Sequence, residues 1–140
     1  MSDSAKLSEA DKAYFAGLVD ANSAIHIDRR YRGGGLISRE IILRLNGLSK
    51  GQVDWVRARF KHGRIIKSKN SDGHCLRFGT RWAATALVEV VGHVIAKARE
   101  VSLVFRFASA VGRSGRRLTE EQERVRAEVD QELTALKRGA

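Results

Sequence analysis

The 140-residue chain fits one domain of ordinary size, and its 43% hydrophobic content supports a packed core and argues against general disorder. Its 26 Lys and Arg outnumber 16 Asp and Glu for a formal net charge of +10, so a polyanionic partner is expected, with nucleic acid first. Cys75 is the single cysteine, which excludes an intrachain disulfide and a Cys-based zinc site and suits a reducing, intracellular compartment (cytoplasm or nucleoid). The four histidines, His26, His62, His74 and His93, lack HxxxH spacing and read as surface or groove residues. The polar start MSDSAKLSEADK carries no apolar signal-peptide run, so secretion is not expected. No stretch approaches the roughly 18 apolar residues of a membrane span.

Residues 1–7 read as a frayed tail. Ser8 and Asp11 have capping-box spacing, which predicts a helix from Ser8 to about Asp20. Leu7, Tyr14 and Leu18 can pack on one side of it, while Ala13, Ala16, Gly17 and Ala21 make another side small. Gly17 within a helix costs about 1 kcal/mol relative to Ala, and close approach of a second helix is the simplest offset. After Asn22 the period changes to two. Ile25 and Ile27 alternate with His26, Asp28, Arg30 and Arg32, which predicts a strand with one apolar and one mostly basic face. Gly33-Gly34-Gly35 reads as a turn into a second strand over residues 36–45. There Ile41, Leu43 and Leu45 face one way, and Glu40, Arg44 and Asn46 the other, with Ile42 among them.

Ser49 to Gln52 opens a second helix to about Lys61, with Val53, Val56 and Phe60 inward and Trp55 flanking. Third and fourth strands follow at residues 64–69 and 73–79, joined by the turn sequence Asn70-Ser71-Asp72-Gly73. Leu76 and Phe78 should face the core, with Cys75 and Arg77 opposite; Ile65-Ile66 leaves the faces of the third strand unassigned. Thr80 is expected to cap a buried helix over residues 81–91, followed by an irregular segment 93–99 and a helix 101–111. Ser114 to Arg117 reads as a basic loop. Thr119 and Gln122 form a capping box for a last helix to about Lys137, with Leu118, Val125, Val129, Leu133 and Leu136 as its apolar stripe. The expected fold class is α+β: a four-stranded antiparallel sheet with helices on one face. The other face carries Arg30, Arg32, Arg44, Arg77 and, nearby, Lys67 and Lys69. Such a saddle suits a DNA groove.

The stretch Phe15-Ala16-Gly17-Leu18-Val19-Asp20-Ala21-Asn22-Ser23 resembles the nine-residue signature of the LAGLIDADG homing endonucleases, and the order αββαββα is similar to the single-motif members. The resemblance covers residues 7–113 of a single domain 1–140, with the C-terminal helix over about 118–138 beyond it. It implies a homodimer in which Ala13, Ala16, Gly17 and Asp20 pack the two motif helices together. It also implies Mg²⁺-dependent cleavage of a long, pseudo-palindromic double-stranded DNA site, of the intron-homing type.

The motif departs from the family at its eighth position, where a metal-binding carboxylate is replaced by Asn22, and at Ser23, the usual Gly. Hard Mg²⁺ prefers carboxylates, so an uncharged amide at Asn22, with the Ala21 carbonyl beside it, makes a weak ligand set and impaired cleavage is expected. Asp20 lies about half a helical turn away and is expected to close the helix end. The resemblance further assigns Lys97 to the basic position near the reacting phosphate and Ser49 to the polar position before the second helix; a solvated lysine and a plain helix cap are the alternatives. The matching basic position in that helix holds Val53. By alternation His26, Asp28, Arg30, Arg32, Glu40, Arg44 and Asn46 should face base edges, with Asp28 or Glu40 accepting from cytosine. A non-cleaving DNA-binding regulator, or a splicing maturase that binds intron RNA, is the competing function.

Overall fold

The change of period at Asn22 is where the first helix becomes the first strand. The structure, a computed structural model, describes residues 7–31, 33–35, 37–67, 73–110 and 118–139, and leaves the side chain of Lys67 undescribed. Arg32, Lys69, the turn residues Asn70, Ser71 and Asp72, and the basic loop from Ser114 to Arg117 lie outside the described residues. The order is α1 (Glu9–Asn22), β1 (Ser23–Tyr31), β2 (Ile37–Leu48), α2 (Lys50–Arg59), β3 (Arg64–Lys67) and β4 (His74–Phe78). Then come α3 (Thr80–Val88), a 3₁₀ turn (Val91–His93), α4 (Ala98–Ala108) and α5 (Glu120–Gly139). The α+β class and the four-stranded antiparallel sheet are as expected, in the order β1-β2-β4-β3.

All three capping boxes form. Ser8 pairs with Asp11, Ser49 with Gln52 and Thr119 with Gln122, each satisfying backbone donors that a helix start leaves open. Thr80 does not cap α3. Gly79 holds the cap position, and buried Thr80 instead accepts from the Ile41 N–H and donates to its carbonyl, both at 3.0 Å, stitching α3 to β2. The fourth helix starts at Ala98 and ends at Ala108, earlier at both ends than the apolar pattern indicates. Its start is fixed from outside, by Asp20.

Helices cover one sheet face. Phe15, Val19, Ile25, Ile41, Leu43, Leu45, Leu76, Phe78, Leu87 and Phe107 lie at the centre of the core, and Phe15 stacks on Phe60 with ring centroids 4.0 Å apart. Tyr14 departs from the expected grouping with Leu18: it is 42% exposed and meets Trp55 edge-on at 4.7 Å, outside the core. β2 and β4 shift register between Leu45 and Leu48, at a bulge where Gly47 adopts φ +67°. The bulge keeps both leucines fully buried and turns Asn46 toward solvent.

The C-terminal helix is tied down through charge as well as apolar packing. Asp130, near the middle of α5, accepts from Arg29 Nε at 2.7 Å, from Arg29 Nη2, and from Arg39 Nε at 3.0 Å. Its side chain is only 8% exposed. Arg126, one turn earlier, donates to the carbonyls of Ala110 (2.8 Å) and Arg39 (3.0 Å) and covers the Phe107 ring. Arg29 and Arg39 are cross-strand partners on the helix side of the sheet, so one buried carboxylate joins β1, β2 and α5.

Candidate nucleic-acid interface

The open face of the sheet is built by alternation and register. With Ile25 and Ile27 turned to the helices, Ala24, His26, Asp28 and Arg30 point the other way, beside Arg44, Ile42, Glu40 and Ser38 of β2. β4 adds Cys75 and Arg77, and β3 adds Arg64 opposite Arg77. This register also assigns the faces of β3: Ile65 pairs with Leu76 on the core side and Ile66 with Cys75 on the open side. One level of the sheet therefore carries Arg44, Arg77 and Arg64 in a row across three strands. Like charges directly opposite one another destabilise a sheet, so such a row is a cost that a bound polyanion would offset. Arg44 Nε is buried without a hydrogen-bond partner. Lys67 pairs by backbone with His74.

The acids on this face are engaged with its bases. Asp28 accepts from Arg77 Nη2 at 2.7 Å and lies 3.2 Å from His26 Nε2, and Glu40 is 3.8 Å from the same Arg77 nitrogen. Burial alone would push the Asp28 carboxyl up, but the Arg77 hydrogen bond and the neighbouring His26 hold it below its ordinary value. Burial holds the His26 imidazole below its ordinary value against the opposing pull of Asp28. Ile42 and Cys75 beneath them are 0% and 5% exposed although they lie outside the main core. Asp28, expected with Glu40 as an acceptor for cytosine, is already bonded to Arg77 and lies beside His26. Asn46 is also engaged, its side-chain oxygen accepting from Cys75 Sγ at 3.2 Å.

At the end of α1, Ser23 Oγ donates to the Val19 carbonyl at 2.5 Å and ends the helix. Asn22 turns its amide nitrogen to the Asn46 carbonyl at 3.1 Å, a bond that a carboxylate cannot donate. Asp20 accepts from the backbone N–H groups of Ile95 (2.9 Å) and Lys97 (3.0 Å), which fixes the chain entering α4. Asp20 therefore does not close its own helix, the role expected for it, but brings the Lys97 backbone to the end of the motif helix. Lys97 Nζ is 3.9 Å from Glu100. Ser49 is the cap of α2, its oxygen accepting from Gln52 N–H at 3.1 Å. On the surface expected to meet a second copy, Ala13 and Gly17 are exposed, but Ala16 is 1% exposed within the core. Ala16 therefore has no surface to offer a second copy, a correction that follows from Phe15 and Ala16 both facing inward.

These groups do not fit a hard divalent cation within one chain. Asn22 is uncharged and directs its NH₂ inward, both Asp20 oxygens take backbone donors, and no group of three or more His, Cys, Asp or Glu that could hold a metal occurs among the described residues. Also among the described residues, no helix is long and apolar enough to cross a membrane. Sequence reading missed the Arg29–Asp130–Arg39 junction and the Asp28–Arg77 bridge. Their members lie 101, 91 and 49 residues apart, and no local pattern joins them.

No family model and no curated protein matches the sequence. Solved structures do match. The archaeal intron-encoded homing endonuclease I-Vdi141I complexed with DNA superposes with a TM-score of 0.75 at 13% identity, over 91% of this chain and 84% of that one. The homing endonuclease I-TnaI gives 0.64 at 20% identity, over 91% and 93%. The I-SmaMI LAGLIDADG homing endonuclease bound to cleaved DNA gives 0.65 at 16% identity; this chain is covered for 94% but spans only 49% of that protein. By these superpositions the chain has the LAGLIDADG homing-endonuclease fold.

Proposed function

We propose that the chain is a homodimeric, sequence-specific double-stranded DNA-binding protein whose metal-dependent cleavage is impaired by Asn22. The observation that carries the reading is the open sheet face, where Arg44, Arg77 and Arg64 stand at one level with His26 and Arg30 alongside, on a chain of net charge +10. Alternating side chains of a curved sheet match the spacing of base edges in a major groove. The archaeal I-Vdi141I neighbour is a DNA complex, which supports the same partner here. A single motif helix with exposed Ala13 and Gly17 supports a second copy across that helix, and hence a long, pseudo-palindromic site.

A second reading, a binding protein without cleavage, is favoured by the Asn22 amide bonded to the Asn46 carbonyl. Asn22 here closes the helix end onto β2 and offers no charge to Mg²⁺. Selection from a random duplex DNA pool, followed by incubation of the selected duplex with millimolar Mg²⁺, separates the readings. Impaired cleavage leaves the selected duplex intact with wild type and cut with Asn22→Asp. A regulator leaves it intact with both. A protein that selects structured intron RNA over duplex DNA is a maturase, because A-form RNA hides the groove that strand side chains read.

A further inference from the structure

Resting on the DNA-binding reading above, we infer that Arg77 reads a guanine in each half-site and that Asp28 is its positioning residue, holding the guanidinium over Ile42. Arg77 is on β4 and Asp28 on β1, with β2 between them. By register Arg77 is level with Arg44, while Asp28 is level with Glu40, four residues along β2 with Ile42 midway. The 2.7 Å contact therefore requires the Arg77 side chain to cross β2 diagonally, over Ile42. The full burial of Ile42 on an otherwise open face is explained by that roof.

Electrostatics and shape hold the head there. Arg44 and Arg64 flank Arg77 on either side and repel it, while Asp28 and, at longer range, Glu40 attract it toward the β1 side. Below lies the apolar Ile42. His26, beside Asp28 at 3.2 Å, limits the freedom of the carboxylate. A guanidinium has five N–H donors in a planar fork, and the Asp28 bond uses one of them, on Nη2. The remaining donors are left for a ligand, and a two-donor edge matches guanine O6 and N7, the commonest specific major-groove pairing. Fixing the fork before binding reduces the rotamer entropy that a free arginine loses on reading a base. Asp28 then acts through Arg77 and touches no base itself.

The test uses the full chain and the duplex enriched from a random pool. Binding is measured by fluorescence anisotropy against that duplex and against versions changed at each base pair. Wild type should show one guanine per half-site whose replacement, or substitution by 7-deazaguanine (which lacks N7), weakens binding about tenfold or more. Arg77→Ala should erase that preference alone. Asp28→Ala should reduce it at the same position by several fold with the other positions and the salt slope unchanged, and Asp28→Asn should keep an intermediate preference. The 7-deazaguanine measurement needs no variant, so it stands if a substitution fails to fold. Asp28→Ala changing a different base pair from Arg77→Ala, weakening all sequences equally, or changing nothing overturns the inference while leaving the DNA-binding reading intact. A wild-type chain that enriches no sequence overturns both.

Discussion

Two aspartates sit on opposite faces of one sheet, and they do opposite things with the same chemistry. Asp130 reaches Arg29 and Arg39 on the helix side, while Asp28, the neighbour of Arg29 in β1, reaches Arg77 on the open side. Each joins elements far apart in the chain. Their surroundings differ: the Asp130 side chain is 8% exposed and that of Asp28 is 39% exposed. At the Asp130 junction the carboxylate is shut away while Arg29 keeps 42% and Arg39 19% of its side chain exposed, so the carboxylate, held by two arginines from two strands, is the fold component. A pair facing solvent is weak and exchangeable, so the same bond can orient a side chain for a ligand without committing the fold to it.

The largest effect expected from breaking this comparison is at the buried site. Asp130→Ala should destabilise the chain by about 2 kcal/mol, since α5 loses its charge-assisted bonds to Arg29 and Arg39 while solvent reaches the arginines left behind. Asp28→Ala should cost no more than about 1 kcal/mol, because solvent screens the pair it breaks. Urea denaturation of both variants checks this, and equal losses would erase the distinction. Asn22→Asp comes next, at about 1 kcal/mol, since the Asn46 carbonyl loses its donor and gains a facing carboxylate. An unchanged denaturation midpoint in that variant would mean that the Asn22 bond contributes nothing.

Acidity sharpens the contrast further. The folded His26 imidazole sits below its ordinary value, so under about pH 6.5 the unfolded chain takes up a proton that the folded chain resists. Stability should therefore fall as pH drops below about 6.5, and His26→Gln should flatten that slope. Asp28 and Asp130 are both held low, so their contributions are present above about pH 4 and are lost only below it. The smallest effect is at Gly17, where an added Cβ meets nothing within 4 Å in the single chain. Gly17→Ala should stabilise the isolated chain by up to about 1 kcal/mol, and Gly17→Leu should leave it folded while blocking a second copy. Sedimentation velocity of Gly17→Leu reads this directly: a persisting dimer places the interface elsewhere.

Much of this molecule was legible from local pattern. The three boxes at Ser8, Ser49 and Thr119 mark helix starts through contacts three residues long, and the alternation from Ile41 to Leu45 assigns the faces of β2. Thr80 shows where local reading ends: its hydroxyl is taken by Ile41, which only the folded chain brings near. Arg29 and Asp28 show the same limit at the site. Their positions in β1 predict opposite faces, but their partners come from α5 and β4, so their roles depend on packing that no spacing encodes. Asn22 was legible as a departure from a motif; its bond to the Asn46 carbonyl was not.

The most direct test of the proposed DNA-binding dimer is the stoichiometry and selectivity of its complex with a duplex selected from random DNA. Equilibrium sedimentation in EDTA should give two chains per selected duplex, bound at least about a thousandfold more tightly than unrelated duplex at the same salt. One chain per duplex, or equal affinity for selected and unrelated DNA, would contradict it.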